Sequence, residues 1–173
     1  RPISGIDERF IFLGNGEVLG VPLPVIFMIL AFIIAFIVLR YTRFGMYVYA
    51  TGGNEEISRL AGIQTARITV GVYVISGLTA ALGGILLAAR LWSAQPNAAA
   101  GWELDAIAAP VLGGISLFGG VGSVTGTVMG AFILGILSNG LNLMGVQSFY
   151  QQIIKGVVLI LVVMLDLFTK RRR

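Results

Sequence analysis

The sequence predicts an all-α integral membrane protein, a polytopic helical bundle with one short, broken or re-entrant-like helix. Three observations predict it. Of 173 residues, 57% are hydrophobic and only 12% charged, far below the quarter or so of charged residues in a soluble domain. Apolar runs recur at residues 21–39, 68–89, 104–118, 122–143 and 149–168. Basic residues gather in two places, around residues 40–67 and in the tail from Lys170 to Arg173. That tail accounts for the net charge of +4, so the charge is a local cluster and no nucleic-acid surface is expected. With no Cys and no His, thiol nucleophiles, most zinc sites and histidine bases are excluded.

Residues 1–21 carry Arg1, Asp7, Glu8, Arg9 and Glu17, with turn signals at Gly5 and at Asn15 and Gly16. They read as an extramembrane loop with room for a short hairpin. Residues 21–39 are uncharged and just long enough to cross about 30 Å of hydrocarbon at 1.5 Å per residue, with Pro22 and Pro24 in the first turn. The chain begins at Arg1, not at Met, and reads as part of a longer polypeptide.

Residues 40–67 form a charged island between oily segments. Asn54 suits an N-cap, Glu55 and Glu56 suit a first turn, and Gly62 suits the C′ position. Ile57, Leu60 and Ala61 share one short apolar face. Arg40, Arg43, Arg59 and Arg67 give the basic bias of a cytoplasmic loop. The island reads either as a docking helix for a cytosolic partner or as a solvated loop with one incidental helical turn.

Residues 68–89 are the second span. Gly77 and Ala81, Ala80 and Gly84, and Gly84 and Ala88 repeat at fours, the spacing of a close-packing seam, so this helix is expected inside a bundle. Arg90, Trp92 and Trp102 mark the far interface. Residues 104–118 are too short for a straight crossing and are interrupted by Pro110, Gly113 and Gly114, which calls for a half-helix continued by irregular chain. Residues 122–143 carry a second seam at Gly122, Gly126 and Gly130, and residues 149–168 are the last span. With island and tail both cytoplasmic, an even number of crossings must separate them. The short segment must therefore traverse, bringing residues 119–121 to the cytoplasmic side. Five crossings follow, with residues 1–21 outside and the C-terminus inside.

Asn139, Asn142, Gln151 and Gln152 offer donors and acceptors to a neutral, hydroxyl-rich solute, or else serve as interhelical hydrogen bonds. Lys155, ionisable within a span, is either a pathway residue or a side chain snorkelling to the outer interface. Asp166 is expected at an interface, too far along the helix to pair with Lys155. Ser116, flanked by glycines, admits an intramembrane-enzyme reading, but no histidine base is present to activate it.

Tyr49, Ala50, Thr51, Gly52, Gly53, Asn54, Glu55 and Glu56, then Arg59, Leu60, Ala61, Gly62 and Ile63, resemble the cytoplasmic loop of permease subunits of bacterial ABC sugar importers. So do Ala94, Gln95 and Pro96, the run from Glu103 to Ala109, the run from Gly113 to Gly120, and the run from Asn139 to Leu143. The likeness covers essentially the whole chain, is nearest to the ribose permeases, and corresponds to a C-terminal half. It implies one transmembrane domain over residues 1–173, with residues 40–67 as its coupling loop, in the bacterial inner membrane. It implies a second permease subunit in a homo- or heterodimer, a cytoplasmic ATPase subunit, a periplasmic sugar-binding protein, surrounding lipid and no nucleic acid. It makes the island a coupling helix, with Gly53, Asn54, Glu55, Glu56, Ile57, Arg59, Leu60 and Gly62 docking on the ATPase. Asn139, Asn142, Gln152 and Lys155 are the candidate path for a ribose-like monosaccharide. No cofactor is expected on this chain: ATP and Mg belong to the ATPase, and the sequence has no GxxxxGK[ST] of its own. A non-transporting anchor for a cytosolic partner, or a related permease for branched-chain amino acids or a furanose signal, are the other readings.

Overall fold

A computed structural model of the chain describes residues 3, 4 and 8–170. The basic tail beyond Lys170, the charges Arg1 and Asp7, the turn at Gly5 and the side chain of Asp166 lie outside what is described. The chain divides into two compact units, one of residues 1–48 and 56–98, the other of residues 49–55 and 99–173.

In the first unit, β1 (Ile3–Ser4) pairs antiparallel with β4 (Ser93–Ala94), Ile3 opposite Ala94. Between them run α1 (Glu8–Asn15), the hairpin of β2 (Glu17–Val18) and β3 (Val21–Pro22), α2 (Leu23–Tyr41), most of α3 (Arg43–Gly53), α4 (Glu55–Leu60) and α5 (Thr65–Leu91). The hairpin turns on Leu19 and Gly20, both at positive φ (55° and 77°), as a two-residue turn matched to strand twist requires. The break signalled at Asn15 and Gly16 is the end of α1. The helix α1 was not legible in the sequence, being eight residues that end in Gly14 and Asn15. It is held by its neighbour: a Cβ on Gly14 would meet the backbone of Ala89 and Arg90, and Asn15 Nδ2 donates to the Ala89 carbonyl at 3.2 Å. The N-terminal segment therefore sits at the end of α5 that carries Arg90 and Trp92.

α2 is apolar on every side, as a helix facing lipid is. It stops at Thr42, which is extended (φ −110°, ψ 156°). The Thr42 hydroxyl donates to the Val38 carbonyl at 2.6 Å and accepts the Gly45 N–H at 3.3 Å, making the corner into α3. Gly45 lies against the backbone of Leu39, where any side chain would collide. At 27 residues α5 is longer than the run of apolar sequence. Its expected seam is uncovered, because nothing approaches Gly77 or Gly84 within 4 Å of where a Cβ would stand.

The second unit contains the end of α3, then α6 (Trp102–Leu112), α7 (Val124–Leu143) and α8 (Ser148–Lys170). Here the glycine seam is used. Gly126 of α7 lies on the Gly113 backbone and Gly130 on the Ala109 carbonyl, so α6 and α7 run antiparallel with backbones touching. Ser123 caps α7, its Oγ accepting the Gly126 N–H at 3.1 Å, an N-cap arrangement that satisfies an orphan donor. By length and composition, α2, α5 and α7 qualify as membrane-crossing helices among the described residues, and the described part of α8 adds an apolar stretch over Ser148–Met164. At 11 residues, α6 is about 16 Å long, roughly half a bilayer core.

Candidate functional site

The island folds as two helices, α3 and the six-residue α4, with only Asn54 between them. α4 ends where Gly62 takes φ +85°. The Gly62 N–H donates to the Arg59 carbonyl and the Ile63 N–H to the Ser58 carbonyl, each at 3.0 Å. This is the paired ending in which a left-handed C′ residue satisfies the last carbonyls, and it recurs at Gly114 after α6 and Gly145 after α7. The orientation of α4 is the reverse of an ordinary amphipathic helix. Ser58 is buried, whereas Ile57 is 64% and Leu60 82% exposed. Glu55, Glu56 and Arg59 are exposed beside them. An apolar pair turned outward within a charged rim is the pattern of an interaction site.

The end of α3 rests on the irregular segment that follows α6. A Cβ on Gly119 would collide with the Gly52 carbonyl, and one on Gly120 would stand 2.7 Å from Gly53 Cα. Tyr49 donates its hydroxyl to the Gly122 carbonyl at 3.1 Å. The segment is itself tied down, Ser116 N–H donating to the Val121 carbonyl and Gly119 N–H to the Ser116 carbonyl, both at 3.1 Å. Ser116 is buried, and its Oγ accepts the Phe118 N–H at 3.3 Å, a structural use of the hydroxyl that the enzyme reading had made a nucleophile.

Lys155 is paired. Its ammonium lies 2.6 Å from Asp105 Oδ2, joining α8 to the first turns of α6, and the two side chains are 20% and 32% exposed. Among the described residues, Asp105 Oδ1 is buried without a hydrogen-bond partner. Beside the pair, a groove of about 520 Å³ lies between the N-terminal half of α6 and the C-terminal half of α7, lined by Trp102, Asp105, Ala106 and Ala109 on one wall and Leu134 and Ser138 on the other. Among the amides singled out by sequence, Asn142 is engaged: Gln151 Nε2 donates to its Oδ1 at 3.0 Å and to the Val146 carbonyl at 2.8 Å, bracing the α7–α8 turn. Asn139 and Gln152 are exposed. Sequence reasoning missed Asp105 as the partner of Lys155, fifty residues away. The available signal was that both are ionisable groups in apolar segments, which in lipid favour each other.

The chain matches, over residues 2–163, the family described as branched-chain amino acid transport system / permease component. It is 50% identical to the ribose import permease protein RbsC of Bacillus subtilis over 168 residues, 96% of this chain and 52% of that protein. It is 55% identical to the Escherichia coli ribose import permease protein RbsC over 159 residues, 92% of this chain and 50% of that protein. With the xylose transport system permease protein XylH of Escherichia coli the identity is 48% over 153 residues, 88% of this chain and 39% of that protein. The chain thus spans about half the length, or less, of these curated relatives. No solved structure matches it.

Proposed function

This chain belongs to the family of branched-chain amino acid transport system permease components, and from that premise we propose that it is a membrane-spanning part of an ABC importer that moves a ribose-like monosaccharide into the cytoplasm. ATP hydrolysis takes place in a separate cytosolic subunit, which alone uses ATP and Mg. The substrate class rests on the ribose and xylose permeases at 48–55% identity. The observation that carries the coupling role is the outward-turned pair Ile57 and Leu60 on α4. Gly53, Asn54, Glu55, Glu56, Arg59 and Gly62 form and rim that surface. A periplasmic sugar-binding protein delivers the solute, and a second permease subunit completes the path. Asn139 and Gln152 are polar groups on that path, with Asn142 and Lys155 acting beside them through Gln151 and Asp105.

In this reading the chain crosses the inner membrane five times, with residues 1–21 outside and the C-terminus in the cytosol. Supporting it is the seating of residues 119–122 on residues 49–53. The short α6 and its irregular continuation then complete one crossing together.

Uptake of labelled ribose into proteoliposomes holding the permease, the ATPase and the binding protein is the test. Leu60→Asp places a charge where an apolar contact forms, and Arg59→Glu reverses its rim. Loss of a central apolar anchor costs about 2 kcal/mol or more of docking, roughly 30-fold in affinity. Both variants are expected to insert normally, to lose uptake, and to lose sugar-stimulated ATP hydrolysis. Undiminished uptake in both would remove the coupling role, and no uptake with the unaltered chain would favour a plain membrane anchor. Competition by xylose but not by leucine is expected.

A further inference from the structure

The placement of α6 is unusual for so short a helix. Its C-terminal half is fixed, because Ala109 and Gly113 touch the α7 backbone at Gly130 and Gly126. Its N-terminal half leaves α7, and the groove of about 520 Å³ opens between them. On the other side that half leans on α8 through the Asp105–Lys155 pair. Pro110 stands just inside the fixed half, one residue past Ala109. Having no N–H, it leaves the Ala106 carbonyl without its helical donor and weakens the helix at that point. The groove lining includes the small residues Ala106, Ala109, Ala131 and Gly135 alongside Trp102 and Leu134.

We propose that the Asp105–Lys155 ion pair is a latch that holds the N-terminal half of α6 on α8 and keeps the α6/α7 groove open, with the turn from Ala106 to Ala109, which lacks the Pro110 donor, as the pivot. Asp105 and Lys155 are therefore positioning residues for the transport reading above, on which their functional importance rests. Three features favour a latch over a passive surface pair. The partners are on different helices, fifty residues apart. Ionisable groups in apolar segments are retained where they act. And the pair is incompletely satisfied, Asp105 Oδ1 being buried without a donor, so it is held with less than its full complement of bonds and is open to release. Released, the N-terminal half of α6 swings towards α7 and narrows the groove.

Spin labels at Ile107 on α6 and Ile136 on α7, both exposed and outside the groove, report the separation by pulsed electron–electron resonance in the reconstituted permease. The latch requires one narrow distance distribution in the otherwise unaltered chain. Asp105→Asn or Lys155→Gln is expected to shift it shorter or broaden it. The exchanged pair Asp105→Lys with Lys155→Asp is expected to narrow it again. Ribose uptake should fall roughly tenfold in the single variants, the scale of coupling changes from residues off the binding site, and recover in part in the exchanged pair. An unchanged distribution in both single variants overturns the latch. So does a broadening that the exchange fails to reverse, since the pairing is then not what holds the helix. Absence of ribose uptake by the unaltered chain overturns the transport reading instead and leaves the distance measurement to decide the latch alone.

Discussion

Glycine does two different things in this chain, and the difference is visible residue by residue. Gly126 and Gly130 sit where a Cβ would strike the carbonyls of Gly113 and Ala109. Gly77 and Gly84, each four residues from an alanine, face open space. Gly126→Ala is expected to cost about 1–3 kcal/mol, the usual penalty of overpacking a tight contact. Gly77→Ala, free of any such contact within the chain, is expected to be neutral or to stabilise by up to about 1 kcal/mol through helix propensity. Thermal unfolding in detergent checks both, and equal effects would mean that the α6–α7 contact is not what uses the seam. A destabilised Gly77→Ala in the assembled importer but not in the chain alone would mark α5 as a face for another helix. The spacing of glycines was legible in the sequence; which seam is covered was not, because that depends on the partner helix and not on the helix that carries it.

At the scale of elements, hydropathy located every long helix to within a few residues, since length and apolarity are local properties that lipid enforces. The stop at Gly62 was likewise local. α1 escaped, because what stabilises it is Ala89, seventy-odd residues away. The split of the island into α3 and α4 escaped too, as did the outward turn of Ile57 and Leu60: an apolar face in the sequence says that something will cover it, but not whether the chain does so itself. The short helix is the element on which the topology depends. If α6 and residues 113–123 jointly make one crossing, a cysteine at Val121, 65% exposed, will react with membrane-impermeant maleimide only from the cytosolic side. Reaction from the periplasmic side alone would mean that the segment dips and returns, leaving four crossings and an external C-terminus.

At the scale of the whole molecule, the two units each hold part of what the transport reading needs. One has the long uncovered α5 with α1 clasped to its Trp92 end. The other has α6, α7 and α8, whose polar tie, groove and tightly bonded 116–121 turn lie together with residues 49–55. Residues 49–53 are thereby packed on the irregular continuation of α6. The central claim is that α4 is gripped by a nucleotide-hydrolysing subunit. A photo-crosslinking amino acid at Leu60, in the intact importer in membranes, tests it most directly. The account predicts an adduct with the ATPase subunit whose yield changes between nucleotide-free and ATP-bound states. An adduct with a periplasmic protein, or none with the ATPase in either state, would contradict it.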